Sequence, residues 1–527
     1  MPEPCDVLVI GSGAAGTMIS LVLAEAGMKV VCLEQGGWTV PEDHPHYSAD
    51  WEWQKQNRWS PESNIRRGPD DYPVDTASEK TLMWNAVGGS TNIYTALWPR
   101  YRPSDFRKGI EHGLAPDWPM TYEELAPFYD RSDRLIGTNG LAGDPALPPG
   151  AAPPTPPLPL GGPGRRLARA FDQLGWHWWP LPSAVISENY DGRPGCNGCG
   201  GCSAGCPRGS MSKFSMSIWP KALTAGVDLR TYARVERIET ANGRAVGALY
   251  RDRKSGVEHL QRAEVVVVAC NGVGTPRLLL MSDNLANSSG QVGRNLMHHT
   301  LVACEMWVDE PLDSHIGSLG ALLSQEFAET DTARGFVNGF NFNCVGSGGA
   351  GNQAIGFVSE ARAPWGDGHH AWFRKHFGHG CTVFAIGDDL PQAENRVSLS
   401  DQTDVDGLPL PKVVYAPHEN DRRMMRFALD RLEEVADAMD AFDHRLQDYI
   451  VPGKGYQTPA WHLLGTCRMG DDPEHSVTDR WHRCWDVQNL YVCDGSSLPT
   501  GGVVNPTSTI CALALRVGEH LRDEVAK

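Results

Sequence analysis

The chain lacks any apolar run of the roughly 18–20 residues that a membrane span requires. No basic leader is read before the first apolar stretch, Asp6 to Ile10. Together these predict a cytoplasmic protein, or one exported in folded form with a signal-bearing partner. Basic residues are in deficit: 47 Lys and Arg stand against 64 Asp and Glu, a net charge of −17. That disfavours nucleic acid or an anionic membrane as the main partner. Internal repeats and heptads are missing as well. A single core cannot serve 527 residues, so two or three domains are expected. The 57 Gly and 38 Pro predict many turns and long irregular connections. The 14 cysteines do not pattern as a disulfide frame and read as reduced thiols plus one special cluster.

What is present begins at once. Val7-Leu8-Val9-Ile10 reads as a short buried strand of a parallel sheet. Gly11, Gly13 and Gly16 follow at G-x-G-x-x-G spacing, with Ala14 and Ala15 between them. The first glycine allows the tight turn, the second lets the backbone approach a pyrophosphate, and the third lets the helix pack on the strand. The helix is predicted from about Ala14 to Ala26, its free N–H groups facing the phosphates. A second strand, Lys29 to Leu33, ends in Glu34, where a ribose hydroxyl needs an acceptor.

That fingerprint suits NAD and FAD alike. An NAD enzyme continues with contiguous βαβ units. Here the pattern breaks after Gly37 into a tryptophan-rich stretch, Trp51 to Arg67. Sheet-like segments return only at Leu229 to Ala233, at Val265 to Ala269 and at Tyr491 to Gly495. A nucleotide domain assembled from both chain ends suits FAD, gripped along its length.

Cys196, Cys199, Cys202 and Cys206 lie within eleven residues as C-x2-C-x2-C-x3-C-P. Four thiolates on a glycine-rich loop match an iron–sulfur cluster, as [3Fe-4S] or [4Fe-4S]. Structural zinc and unmetallated thiols stay open. Upstream, Pro145 to Gly164 reads as an extended surface connection, since its prolines oppose helix and central strand. A helix follows at Arg165 to Leu174, then Trp176-His177-Trp178-Trp179, read as packing. A long helix is predicted at about Asn420 to Met439.

Taken together, Gly88-Gly89-Ser90-Thr91-Asn92, Trp118-Pro119-Met120-Thr121-Tyr122-Glu123-Glu124-Leu125, Thr275-Pro276-Arg277-Leu278-Leu279-Leu280-Met281-Ser282, Val292-Gly293-Arg294-Asn295-Leu296, WHLLGTCRMG around His462 and GGVVNPTSTICALALR around Asn505 resemble the glucose–methanol–choline oxidoreductase family over nearly the whole chain. Two departures stand out: Ser282-Asp283-Asn284 where Ser-Gly is usual, and His298-His299 where Asp-His is usual. The cysteine run resembles that of the iron–sulfur-containing FAD subunit of bacterial sugar and alcohol dehydrogenases.

The resemblance implies that His462 and Asn505 are the catalytic pair. It places Gly88 to Asn92 beside the flavin ring and the Val235 backbone at the adenine. Asp494 and Gly495 fall near the pyrophosphate or ribityl chain, with Asn505, Pro506 and Thr507 close to the cofactor. A neutral imidazole at His462 can take the hydroxyl proton, and the Asn505 amide can hold the substrate oxygen.

The expected fold is α/β: a Rossmann-like FAD-binding part (1–45, 78–100, 196–300 and 458–527) and a substrate-binding part (46–77, 101–195 and 301–457). The second part is expected to carry an antiparallel or mixed sheet covered by helices. The expected reaction oxidises an alcohol, sugar or polyol to aldehyde or ketone, with electrons passed to the cluster, a cytochrome or a quinone, and with a small accessory subunit as a further partner. The alternatives are an oxidase that makes hydrogen peroxide and a non-redox hydroxynitrile lyase.

Overall fold

The computed structural model describes residues 2–56, 58–65, 73–76, 79–346, 348–355, 363–449 and 458–525. Parts of the tryptophan-rich stretch and of the 301–457 region therefore lie outside the described residues.

The first strand, Cys5–Ile10, pairs in parallel with Val30–Leu33 on one side and with Glu258–Val268 on the other. Asp228–Arg230 extends the sheet beyond Val30–Leu33, and Leu490–Val492 pairs in parallel with the end of Glu258–Val268. Strands from residues 5, 228, 258 and 490 thus meet in one sheet, as expected for a nucleotide fold built from both chain ends. Its central strands are near-continuous Val, Ile and Leu because both faces are covered. The first helix, Ala14–Glu25, is buried between this sheet and the C-terminal helix Thr507–Val525. Gly16 makes that packing feasible: a Cβ there would stand 1.9 Å from the Gly11 carbonyl oxygen.

A second sheet of six antiparallel strands runs in the order Asp443–Asp448, Thr300–Trp307, Gly380–Gly387, Phe340–Gly346, Gly320–Ser324 and Trp179–Pro180. Its side chains alternate as strand geometry demands. Phe340, Phe342, Cys344, Cys381, Val383 and Ala385 point into a core closed by the helices Gly161–Leu174 and Glu419–Ala438. Asn343, Val345, Thr382, Phe384 and Ile386 point the other way, into a cavity. No helix among the described residues is long and apolar enough to cross a membrane.

Two readings change. The proline-rich stretch does enter a helix, which starts at Gly161 rather than Arg165. Gly161 adopts a left-handed φ of 65°, and Pro163 falls in the first turn, where its missing N–H has no helical acceptor. The expected Leu229–Ala233 strand divides into Asp228–Arg230 and Ala233–Ala241 around Tyr232, whose φ is 57°. The tryptophan patch packs as expected in part: Trp176 stacks against Phe342 and meets Phe327 edge-on.

The core between the second sheet and its long helix supports the cavity wall without touching the cavity. Leu432→Ala, within that core, is expected to cost about 2–5 kcal/mol in urea unfolding while substrate KM stays unchanged.

Candidate active site

A cavity of about 560 Å³ runs between the two sheets. Gly11, Gly13, Ala14, Ala15, Glu34 and Val235 line one region of it, and Gly89, Ser90, Thr91, Asp494, Gly495, Pro506 and Thr507 line more. His462 and Asn505 open on the same space. Of the residues expected at the cofactor, Gly16, Gly88 and Asn92 do not line it. They shape it. Gly88 has φ 88° and donates its N–H to the Ser12 carbonyl, which ties the second glycine loop to the first turn. Asn92 donates to the carbonyls of Val87 and Gly89 and accepts from Ser215, bracing that loop from behind.

The two glycine loops meet at Gly13 and Gly89. A Cβ on Gly89 would lie 2.9 Å from the Gly13 Cα, and Gly89 has φ 54°. Close backbone approach of this kind suits a pyrophosphate, which needs N–H groups and no side chains. Glu34 is held ready at the cavity: its carboxylate accepts from the Ser12 N–H at 3.0 Å, the Ser12 hydroxyl at 2.6 Å and the Gly36 N–H at 2.9 Å. Asp494 accepts from the backbone N–H groups of Ser496 and Asn271 and from the Thr275 hydroxyl. Burial nonetheless pushes its carboxyl above the usual range. These residues fit FAD.

His462 follows the Thr458–Ala460 strand, and Asn505 lies two residues before the C-terminal helix. Although 43 positions apart, their side chains meet, with Asn505 Nδ2 at 3.2 Å from His462 Nε2. On the other side of the ring, His462 Nδ1 is 2.6 Å from His299 Nδ1. His299 Nε2 lies 3.0 and 2.9 Å from the carbonyl oxygens of Gly501 and Gly502.

One proton arrangement satisfies every contact. Carbonyls only accept, so His299 Nε2 carries the proton. Burial holds His299 below its usual pKa, so it is neutral and its Nδ1 accepts. His462 must then donate from Nδ1. Burial, with His299 and His298 nearby, pushes His462 well below the usual histidine range, so its Nε2 keeps a free lone pair towards Asn505. His299 itself is fixed: Asp389 accepts the backbone N–H groups of His298 and His299, and His299 adopts a left-handed φ of 64°. Strained backbone held by such contacts is a mark of functional sites. His299 was not expected here, although the unusual His298-His299 pair was the signal.

Cys196, Cys202 and Cys206 are half-buried and Cys199 is exposed. Gly198 donates its N–H to Cys196 Sγ at 3.4 Å, and Met211 donates to Cys206 Sγ at 3.5 Å. Gly198, Gly200 and Gly205 all take left-handed φ values, which lets the loop wrap tightly. Among the described residues no three His, Cys, Asp or Glu side chains, these cysteines included, form a group that could hold a metal ion. Gly200 and Ser203 of this loop line the same cavity as His462.

Two family profiles, each described as GMC oxidoreductase, match residues 5–301 and 391–514. The chain belongs to the GMC oxidoreductase family and is an FAD-dependent oxidoreductase acting on alcohol groups. Among curated relatives, a 2-methyl-1,2-propanediol dehydrogenase of Mycolicibacterium austroafricanum is 48% identical, over 98% of this chain and 95% of its own length. The large subunit of a fructose dehydrogenase of Gluconobacter japonicus is 29% identical, over 99% of this chain and 98% of its own. The solved structure of pyridoxine 4-oxidase from Mesorbium loti superposes with a TM-score of 0.68 at 18% identity, over 98% of this chain and 99% of that one, a likeness of fold.

Because the two glycine loops touch, a methyl between them should empty the cradle. Gly89→Ala is expected to purify with its FAD lost, read as the missing flavin absorbance, while circular dichroism keeps its sheet and helix content.

Proposed function

We propose that the protein is a dehydrogenase for a small aliphatic diol or polyol, with His462 as general base and Asn505 as the group that holds the substrate oxygen. The observation that carries this reading is the pair of contacts on His462 at the cavity, Nδ1 at 2.6 Å from His299 Nδ1 and Nε2 at 3.2 Å from Asn505 Nδ2, from which the unprotonated Nε2 follows. Bound FAD supplies the hydride acceptor. The chain supplies the rest. His462 Nε2 takes the hydroxyl proton, and Asn505 Nδ2 donates to the same oxygen as negative charge builds on it. General-base action is worth about 10²–10⁴ in rate. Removing one such oxygen-binding donor costs about 10²–10³.

The substrate class follows from the cavity wall. Asn343 and Thr382 present polar groups, while Phe384, Ile386 and Trp461 present apolar surface. Such a mixed wall suits a short carbon skeleton bearing two hydroxyls, and the relative named for 2-methyl-1,2-propanediol supports it. A sugar is the second reading, supported by the relative named for fructose. On this reading residues 1–45, 78–100, 196–300 and 458–527 grip FAD, and the remainder forms the substrate side.

Cys196, Cys199, Cys202 and Cys206 would hold an iron–sulfur cluster, which supplies one-electron transfer. A cytochrome or quinone, with a small accessory subunit, would then be the external acceptor. Support comes from the loop's place on the cavity, its N–H···S bonds and its spacing. The oxidase alternative is discriminated by peroxide: stoichiometric peroxide under air would overturn the dehydrogenase reading.

Anaerobic mixing with 1,2-diols, sugars and simple alcohols should bleach the flavin fastest with a diol. His462→Ala should keep its FAD and lose flavin reduction by about 10²–10⁴. A variant that still reduces fast would overturn the base assignment.

The pH dependence has a definite sign. The base works when neutral, and its folded-state pKa lies below the ordinary histidine value. Its acid limb is therefore displaced to lower pH, and kcat/KM should stay flat from about pH 8 to about pH 6 before falling. A limb centred near the ordinary value of about 6.5 would contradict it.

A further inference from the structure

Asn343 stands on the cavity face of the second sheet and is 2% exposed. Its amide is held in one orientation by a chain of contacts that starts close to Asn505. The Val503 carbonyl can only accept, so the Asn341 side chain turns its Nδ2 towards it. Asn341 Oδ1 is then an acceptor, and Asn343 Nδ2 donates to it at 3.1 Å. Asn341 is 1% exposed, so no solvent competes for its amide. This order of bonds leaves one polar atom over. Asn343 Oδ1 accepts no hydrogen bond among the described residues, and its side chain lines the cavity. A buried acceptor is costly to leave without a donor.

Two connections place this oxygen near the proposed base. In the antiparallel register Asn343 lies directly opposite Phe384. Side chains so paired stand about 4.5–5.5 Å apart at Cβ. Phe384 meets Trp461 edge-on, with ring centroids 6.4 Å apart, and Trp461 adjoins His462. From the other side, Val503, which anchors the amide chain, lies two residues before Asn505. Asn343 is therefore tied to the segment of each member of the pair. Thr382, the other polar side chain of this wall, stands opposite Val345 instead. Its hydroxyl can turn to donate or to accept, whereas the Asn343 amide is fixed as an acceptor.

We infer that Asn343 Oδ1 accepts the hydrogen of the substrate's second hydroxyl, and that the site thereby selects a 1,2-diol over the simple alcohol of the same skeleton. The inference rests on the diol reading above. With the reacting hydroxyl between His462 and Asn505, the neighbouring hydroxyl donates to Asn343. An alcohol that lacks it covers the same oxygen and gives it no donor. Sites built to hydrogen-bond a hydroxyl reject the analogue without one far more strongly than apolar pockets reject a change of size. The apolar faces of Phe384 and Ile386 enclose the carbon skeleton, and Asn343 supplies the discrimination.

The test uses the full chain with FAD bound, as wild type, Asn343→Leu, Asn343→Ala and Asn343→Asp. Flavin bleaching is followed without air against 1,2-propanediol and 1-propanol, which differ by one hydroxyl. The readout is the ratio of the two second-order rate constants, and wild type should favour the diol. Asn343→Leu and Asn343→Ala remove the acceptor and should lower that ratio at least tenfold. Asn343→Asp keeps an acceptor oxygen in the same place and should stay near the wild-type ratio. A residue that only shapes the sheet would slow both alcohols alike, so an unchanged ratio in the Leu and Ala variants overturns the proposal. It falls too if Asn343→Asp loses the preference as fully as Asn343→Leu, since shape and not an acceptor is then what the site requires. Loss of flavin from both Asn343→Leu and Asn343→Ala would likewise make the residue structural and end the proposal. Wild type that bleaches no faster with the diol would instead sink the diol reading itself, a result distinct from these.

Discussion

The strand Glu258–Val268 is the constraint on which the rest depends. Its C-terminal half is paired on both sides, with Cys5–Ile10 and with Leu490–Val492, in parallel register. Val268 is thereby aligned with Ile10 and with Val492. Three strand ends come out side by side, each followed at once by a piece of the site. Gly11 and Gly13 follow the first, Asn271 and its helix the second, Asp494 and Gly495 the third. Open parallel sheets bind their ligands at the carboxyl ends of the strands. The Asn271 N–H donates to Asp494 between the second and third ends, and a Cβ on Gly11 would strike the Ala269 carbonyl between the first and second. Shifting this strand by one residue would turn its side chains to the opposite faces and separate these pieces.

Much of this was legible in the sequence because short-range chemistry specifies it. The glycine spacing and the buried Val-Leu-Val-Ile strand need no distant partner to be read. Glu34 was legible for the same reason, although its anchor, the Ser12 hydroxyl, was not singled out. The meeting of Gly13 with Gly89 was not legible from local pattern, since it depends on a loop 76 positions away finding the first turn. The start of the helix at Gly161 was missed because proline-rich composition argues against helix on average. That average fails at a first turn, where proline costs nothing.

His299 shows a different kind of blindness. Its local sequence offered one signal, the unusual His298-His299 pair, which marks the position without giving it a role. Its importance lies in a sequence of contacts that only the fold assembles: two carbonyls from Gly501 and Gly502, one ring nitrogen of His462, and the Asp389 carboxylate holding its backbone. The logic is that of a triad with an imidazole in the orienting place usually held by a carboxylate. A carboxylate there would raise the basicity of His462 by stabilising its protonated form. A neutral imidazole fixes the same tautomer without adding charge, and on the proposed reading leaves His462 a weak base in a buried setting.

A weak base has a consequence for the direction of the chemistry. It cannot strip a hydroxyl proton in advance, because an alkoxide beside an imidazolium would be costly in this buried place without a compensating carboxylate. Proton removal is then favourable only as the hydride departs and the developing carbonyl relieves the negative charge on oxygen. The Asn505 amide fits that demand, since a neutral donor steadies a partial charge without trapping a full alkoxide. His462 and the cysteine loop border one cavity. On the proposed reading proton and hydride leave the substrate by different routes, the proton to an uncharged imidazole and the hydride to bound flavin.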